Sequence, residues 1–110
     1  MATVELNTWE RTMLAQAIGY LRGDVALIRR AVKLLDVLDL KPDEAEAVNM
    51  HLDGEGALRW DKPQHTWPLS LSAADLTMLR QAADAFPMWS AAQSAHLFAL
   101  LDKLTPPKEG

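Results

Sequence analysis

The chain has 110 residues and a mass of 12.2 kDa, enough for one compact domain and too little for two independent ones. Hydrophobic residues make up 49% and charged residues 24%, which excludes a disordered or collagen-like chain. A net charge of −4 argues against broad affinity for nucleic acid or anionic membrane, and a cysteine count of 0 excludes disulfides, thiolate metal sites and a cysteine nucleophile.

Met1 to Glu5 lack the basic start and apolar run of a secretion signal, and no apolar stretch reaches membrane-spanning length. The expectation is a cytoplasmic protein with no membrane partner. Val4-Glu5-Leu6 alternates as a short strand does. Asn7 then opens a helix, because its side chain can accept from the amide three residues on while Glu10 reaches back. This first helix is predicted from Thr8 to about Arg22, burying Trp9, Met13, Ala17 and Tyr20 or Leu21. Gly23 ends it and Asp24 caps a second helix of about fourteen residues. There Leu27, Ala31, Leu34 and Leu38 form the core stripe, with Ile28, Val32 and Leu35 as its flank.

Pro42 suits the first turn of a short acidic helix over Asp43 to Asn49, whose carboxylates lie at the positive end of the helix dipole. Met50-His51-Leu52 and Ala57 to Trp60 flank Asp53-Gly54-Glu55-Gly56, the pattern of a β-hairpin. A further strand runs from Trp67 to Leu71, and Ser72 with Asp75 repeats the capping chemistry of Asn7 with Glu10. The fourth helix stops at Phe86-Pro87, and Ser90 caps a fifth with Leu97, Phe98, Leu100, Leu101 and Leu104 on its apolar face.

The two ends of the chain match each other. Leu6, Thr12, Met13, Leu14, Gln16 and Ala17 recur 65 positions later as Leu71, Thr77, Met78, Leu79, Gln81 and Ala82. With the register slipped by one residue, Ala26, Leu34, Leu35, Asp36 and Leu38 match Ala92, Leu100, Leu101, Asp102 and Leu104. Arg11 stands where the other half has Leu76. Such a repeat lets each copy cover the apolar face of its twin. The expected fold is α+β, two pseudo-symmetric helical hairpins packed on a small, mainly antiparallel sheet of three to four strands. It forms a single domain over residues 1–104, with repeat units 4–38 and 69–104, a linking helix and hairpin over 39–68, and a flexible tail over 105–110.

No reaction centre assembles from these residues, so the expectation is a protein that is not an enzyme and takes no metal or cofactor. His51, His65 and His96 fall on three different elements without a zinc-ligand spacing. His51, Asp53 and Glu55 alternate along a strand, which also describes the solvated face of a hairpin. Asp43, Glu44 and Glu46 read as an exposed helix start. The glycines Gly54 and Gly56 join strands and open no phosphate-binding helix.

Two surfaces remain. Trp60, Trp67 and Trp89 sit at element edges, with Met88 beside Trp89, and each tryptophan there is either a lid on the core or an anchor in an interface. Arg22, Arg29, Arg30 and Lys33 gather around the second helix, in an element order similar to that of winged-helix DNA binders. Three carboxylates on the third helix would repel phosphates at the place where that analogy needs cations.

Spaced features over Leu6 to Leu104 carry a family resemblance: Leu6-Asn7-Thr8 leading into Glu10-Arg11, the Leu40-Lys41-Pro42-Asp43-Glu44 helix start, the Gly56 to Trp60 strand, and Leu69 to Ser72. In these the chain resembles a family of small uncharacterised proteins of tailed phages and prophages. The resemblance implies a phage or mobile-element origin and no activity. The functional expectation is a non-catalytic protein-binding module, an accessory or regulatory factor with a protein partner or a second copy as a homodimer. It would act through Trp60, Trp67, Met88 and Trp89. The alternative is a nucleic-acid-binding regulator using Arg22, Arg29, Arg30 and Lys33.

Overall fold

The computed structural model describes residues 2–105; residues 106–110, which the sequence reading gives to a tail, lie outside the described residues. The fold is α+β. In chain order the elements are β1 (Ala2–Asn7), α1 (Thr8–Gly19), α2 (Val25–Leu38), α3 (Pro42–Ala47), β2 (His51–Leu52), β3 (Leu58–Arg59), β4 (Thr66–Leu71), α4 (Ala73–Ala85) and α5 (Ser94–Leu104). A 3-10 turn, Ala91–Gln93, precedes α5.

The strands do not join in the expected three- to four-stranded sheet. They form two separate antiparallel ribbons, β1 with β4 and β2 with β3. Pro68 lies within β4 opposite Glu5 and has no N–H to offer a further strand, so β4 ends the sheet. The β2–β3 hairpin stands apart behind turns in which Asn49 and Lys62 take positive φ, at 52° and 54°.

In the β1–β4 ribbon, Val4 and Leu6 are buried while Thr3 and Glu5 are exposed, the alternation of a sheet with one covered face. Val4 lies opposite Leu69, its counterpart at the 65-residue offset of the sequence identities. Each strand runs directly into a capped helix. The Glu10 amide donates to Asn7 Oδ1 at 2.8 Å and the Asn7 amide to Glu10 Oε1 at 2.9 Å. Ser72 and Asp75 exchange the same pair of bonds, both at 3.0 Å. The helices α1 and α4 pack on one another, α2 packs on α1, and α5 packs on α4. Leu6, Leu14, Leu38, Leu71, Leu79, Leu100 and Leu104 are the fully enclosed leucines of the core they share.

The face buried by α1 differs from the predicted one. Thr8, Glu10, Arg11, Leu14, Ala17 and Ile18 point inward, Trp9 and Met13 lie half-buried at the rim, and Tyr20 is exposed. Hydrophobic spacing alone cannot find this face because its first turn buries two charged residues, each with a partner. Lys103 Nζ of α5 donates to Glu10 Oε1 at 2.7 Å, and Arg11 pairs with Glu44 of α3. The helix also stops at Gly19, short of Arg22. On α5, Leu100 and Leu104 are buried but Phe98 is exposed, so the expected apolar face is narrower by one residue. No helix among the described residues is long and apolar enough to cross a membrane.

Candidate functional site

The candidate site lies on α2. Asp24 caps this helix by accepting from the Leu27 amide at 2.9 Å. Its inner stripe is the predicted one, with Ala31, Leu34 and Leu38 buried and Leu27 half-buried. A second apolar ladder runs along the outside. Val25, Ile28, Val32 and Leu35 follow one another at the three–four–three spacing of a helix seam. Leu35 is partly covered by the core, whereas Val25 is 68%, Ile28 39% and Val32 58% exposed. Together with Gly23, Arg29 and Lys33, the three exposed residues line a shallow groove of about 540 Å³. Sequence reasoning assigned Ile28 and Val32 to the flank of the core stripe. The available signal was surplus: one full apolar stripe already suffices for the core of a helix this long, so a second ladder needs another cover.

Arg29, Lys33 and Arg30 form one band along α2, with Lys33 bordering the grooves on both of its sides. Arg29 and Lys33 border the outer groove. Arg30 turns toward α4, where it lines a groove with Thr77 and Met78, and Arg22 lies in the connection ahead of α2. Helical rotation separates Arg30 from Arg29, since neighbours in sequence point about 100° apart. All four are exposed, and among the described residues none of them forms a salt bridge.

The far end of α2 is held by Arg11. Its guanidinium is 1% exposed and donates Nε–H to the Leu38 carbonyl at 2.8 Å and Nη2–H to the Asp39 carbonyl at 2.9 Å. Nη2–H also reaches the Val37 carbonyl at 3.3 Å, a fork to Glu44 at 2.9 Å and 3.2 Å completes the set, and the Trp67 ring covers the group with its centroid 5.2 Å away. One cation thus satisfies the open carbonyls at the end of α2 and fixes the start of α3. The Arg11 hydrogen bonds hold the Glu44 carboxyl below its ordinary value of 4.5, against a smaller opposing effect of burial. A groove of about 520 Å³ runs past Arg11 between Gln16, Leu38, Met50 and Leu58. Its cation is already engaged by protein oxygens, and the other charged residue of its lining is the exposed Asp39.

The structure separates the expected aromatic surface into two places. Trp89 is half-buried, donates Nε1–H to the Ala83 carbonyl at 2.7 Å, and meets Phe86 edge-on at 5.0 Å and Trp9 at 6.1 Å. Trp67 is half-buried against Arg11 and His65. Trp60 ends the hairpin, half-buried, and Met88 is 62% exposed beside Trp89. Among the described residues no aromatic pair links the Trp67 group to the Trp89 group.

His51 and Asp53 of the hairpin are occupied locally. Asp53 accepts from Arg59 Nε and from the amides of Glu55 and Ala57, which together hold its carboxyl below the usual range, with Arg59 the largest influence. His51 Nδ1 lies 2.8 Å from the Asn49 carbonyl. Among the described residues no three His, Cys, Asp or Glu side chains converge as a metal site would require.

Comparison with protein-family models, with curated proteins and with solved structures returns no match to this chain.

Proposed function

We propose that the chain is a non-catalytic protein-binding module, acting as an accessory or regulatory factor. The observation that supports this reading is the outer ladder of α2, where Val25, Ile28 and Val32 stand in solvent on a helix whose inner stripe already serves the core. Scattered exposed apolar residues are ordinary, but an aligned set on one rigid helix is a contact surface. The docking face is therefore assigned to α2, with Met88 as a smaller exposed spot, Trp89 as a lid of the core and Trp67 as the cover of Arg11. A phage or prophage setting is the one that the sequence resemblance implies.

The scaffold beneath is read as a duplicated βαα unit. Its support is the shared element order, the paired capping boxes, and the meeting of Val4 with its counterpart Leu69 at the centre of the β1–β4 ribbon.

A displayed random-peptide library tests the proposal, selected on the wild-type chain and counter-selected on a Val25→Asp/Val32→Asp variant. Both positions are exposed, so the variant should keep its urea midpoint. Sequences that bind the wild type and not the variant are expected. If none is enriched, the surface assignment fails.

A second reading, nucleic-acid binding, is favoured by the exposed cations Arg22, Arg29, Arg30 and Lys33, which form no salt bridge among the described residues. It predicts duplex binding that weakens steeply with salt. Arg22 lies off the helix and Asp75 of α4 lines the groove that Arg30 and Lys33 share, which counts against it.

A further inference from the structure

We infer that the partner of the α2 face is an acidic amphipathic helix. The inference rests on the protein-binding reading above and adds the chemistry of the occupant. Three features of the groove point to it.

The first is shape. Val25, Ile28, Val32 and Leu35 repeat at the spacing by which one helix receives the side chains of another, and they extend over about 15 Å, or some three helical turns. A helix of about that length, presenting its own apolar ladder, covers the whole stripe.

The second is charge. Arg29 and Lys33 are one turn apart on the solvent side of the stripe, both exposed and without an ion-pair partner among the described residues. The nearby acidic groups are engaged elsewhere: Asp24 is the helix cap, Asp36 pairs with Lys41 at 3.6 Å, and Asp75, in the neighbouring groove that Lys33 also borders, accepts from the Ser72 amide. The groove is thus a cationic edge on a chain whose net charge is −4. Glutamates flanking an incoming apolar ladder complement it, and lysines there do not.

The third feature disfavours a second copy. In an antiparallel pair of α2 helices, the stripe matches itself with Val25 against Leu35 and Ile28 against Val32. That register is centred at Arg30 and brings the two Arg29 side chains to within about 3 Å along the axis, on the same side of the seam. Like charges at the dyad oppose the pairing.

The test uses three synthetic helical peptides of about 14 residues that share one leucine ladder and carry Glu, Gln or Lys on the flanks. Binding to the full chain is measured by fluorescence anisotropy at low and at physiological salt. The Glu peptide should bind about tenfold more tightly than the Gln peptide and weaken with salt. An Arg29→Glu/Lys33→Glu variant should invert the order and favour the Lys peptide, a reversal that damage to the fold cannot produce. Val25→Asp/Val32→Asp should abolish binding of every peptide. Equal binding of the Gln and Glu peptides, lost in the valine variant, overturns the acidic partner and leaves the docking face standing. Failure of all three peptides overturns both. A duplex of about 20 base pairs that displaces the Glu peptide replaces the inference with nucleic acid. A solution mass of two chains, reduced to one in the valine variant, replaces it with a homodimer.

Discussion

Arg11→Met removes the group that joins α1, α2, α3 and β4, and its cost follows from what is left behind. The methionine refills most of the volume under the Trp67 ring, so the loss is mainly polar. Leu38 is fully buried, and its carbonyl, left without the Nε–H donor, costs about 1–2 kcal/mol. The Val37 and Asp39 carbonyls belong to exposed residues and can turn to water. Glu44 keeps a side chain 20% exposed and rehydrates in part, so losing its fork costs about 2 kcal/mol, below the range for a fully buried pair. The sum is about 3–4 kcal/mol, a large share of the ~5–15 kcal/mol that holds a domain folded. Urea unfolding at neutral pH, followed by tryptophan emission, should show the midpoint fall by about 2 M at an m-value of about 1.5 kcal/mol per M. Arg11→Lys should recover little, because an ammonium cannot fork to Glu44 and reach two carbonyls at once.

The same ion pair sets an acid dependence with a defined sign. Glu44 has a folded-state pKa below its ordinary 4.5, so between the two values the unfolded chain holds the proton and the folded chain does not. The pair's stabilisation is therefore complete above pH 4.5 and is lost as the pH falls through the lower, folded-state value. Glu44→Gln should remove that part of the acid loss while leaving the Leu38 carbonyl bonded. An Arg11→Met midpoint within about 0.5 M of wild type, or an acid limb unchanged in Glu44→Gln, would refute the view of Arg11 as the tie between these elements.

Three further outcomes are expected. Lys103→Met leaves the Glu10 carboxylate, 4% exposed, with only the Asn7 amide, and should cost about 2–3 kcal/mol in urea unfolding, much of it restored by adding Glu10→Gln. Trp89→Phe loses the bond to the Ala83 carbonyl and should cost about 1 kcal/mol or slightly more, whereas Met88→Ala should stay within about 0.5 kcal/mol. Gly56→Ala forces a side chain into φ +80° and should raise amide exchange at Gly56 and Ala57 in the hairpin, with a global midpoint shift of about 1 kcal/mol or less.

Capping chemistry made the starts of α1 and α4 legible in the sequence, because an Asn or Ser with an acidic residue three positions on constrains the backbone locally, whereas Ser90 makes no side-chain cap bond and α5 starts later, at Ser94. The inner stripe of α2 was legible for the same local reason, since four apolar residues on one side of a helix have one reading. The buried face of α1 was not. Glu10 and Arg11 lie inside because Lys103 and Glu44 arrive from 93 and 33 residues away, and no window of sequence contains those pairs. The division of the strands was hidden likewise, since hairpin and ribbon carry similar alternation and their separation depends on where the chain turns between them. Tryptophan at an element edge was open to two readings, and Trp89 shows why: its ring meets Phe86 of the same loop and also Trp9, eighty residues away in the chain. The outer ladder of α2 was visible as letters, but its exposure depends on α4 and α1 taking only the inner side.

An exposed ladder of valines and isoleucine serves recognition best on a helix that does not yield. α2 is fixed at its start by the Asp24 cap, along its inner side by the core, and at its end by Arg11. Docking on it therefore leaves the backbone of α2 nothing further to order, which lowers the cost of association. Arg11 and the outer groove share no lining residue, so the two sets of substitutions should separate. Arg11→Met should lower the unfolding midpoint and leave peptide affinity unchanged wherever the chain is folded, while Val25→Asp/Val32→Asp should do the reverse. Saturating Glu peptide should also raise the midpoint of Arg11→Met by the same amount as that of wild type, because ligand stabilisation depends on affinity for the folded state alone. A smaller rise in the variant would mean that Arg11 shapes the docking face itself, and α2 would then be a movable element held in place by its C-terminal tie.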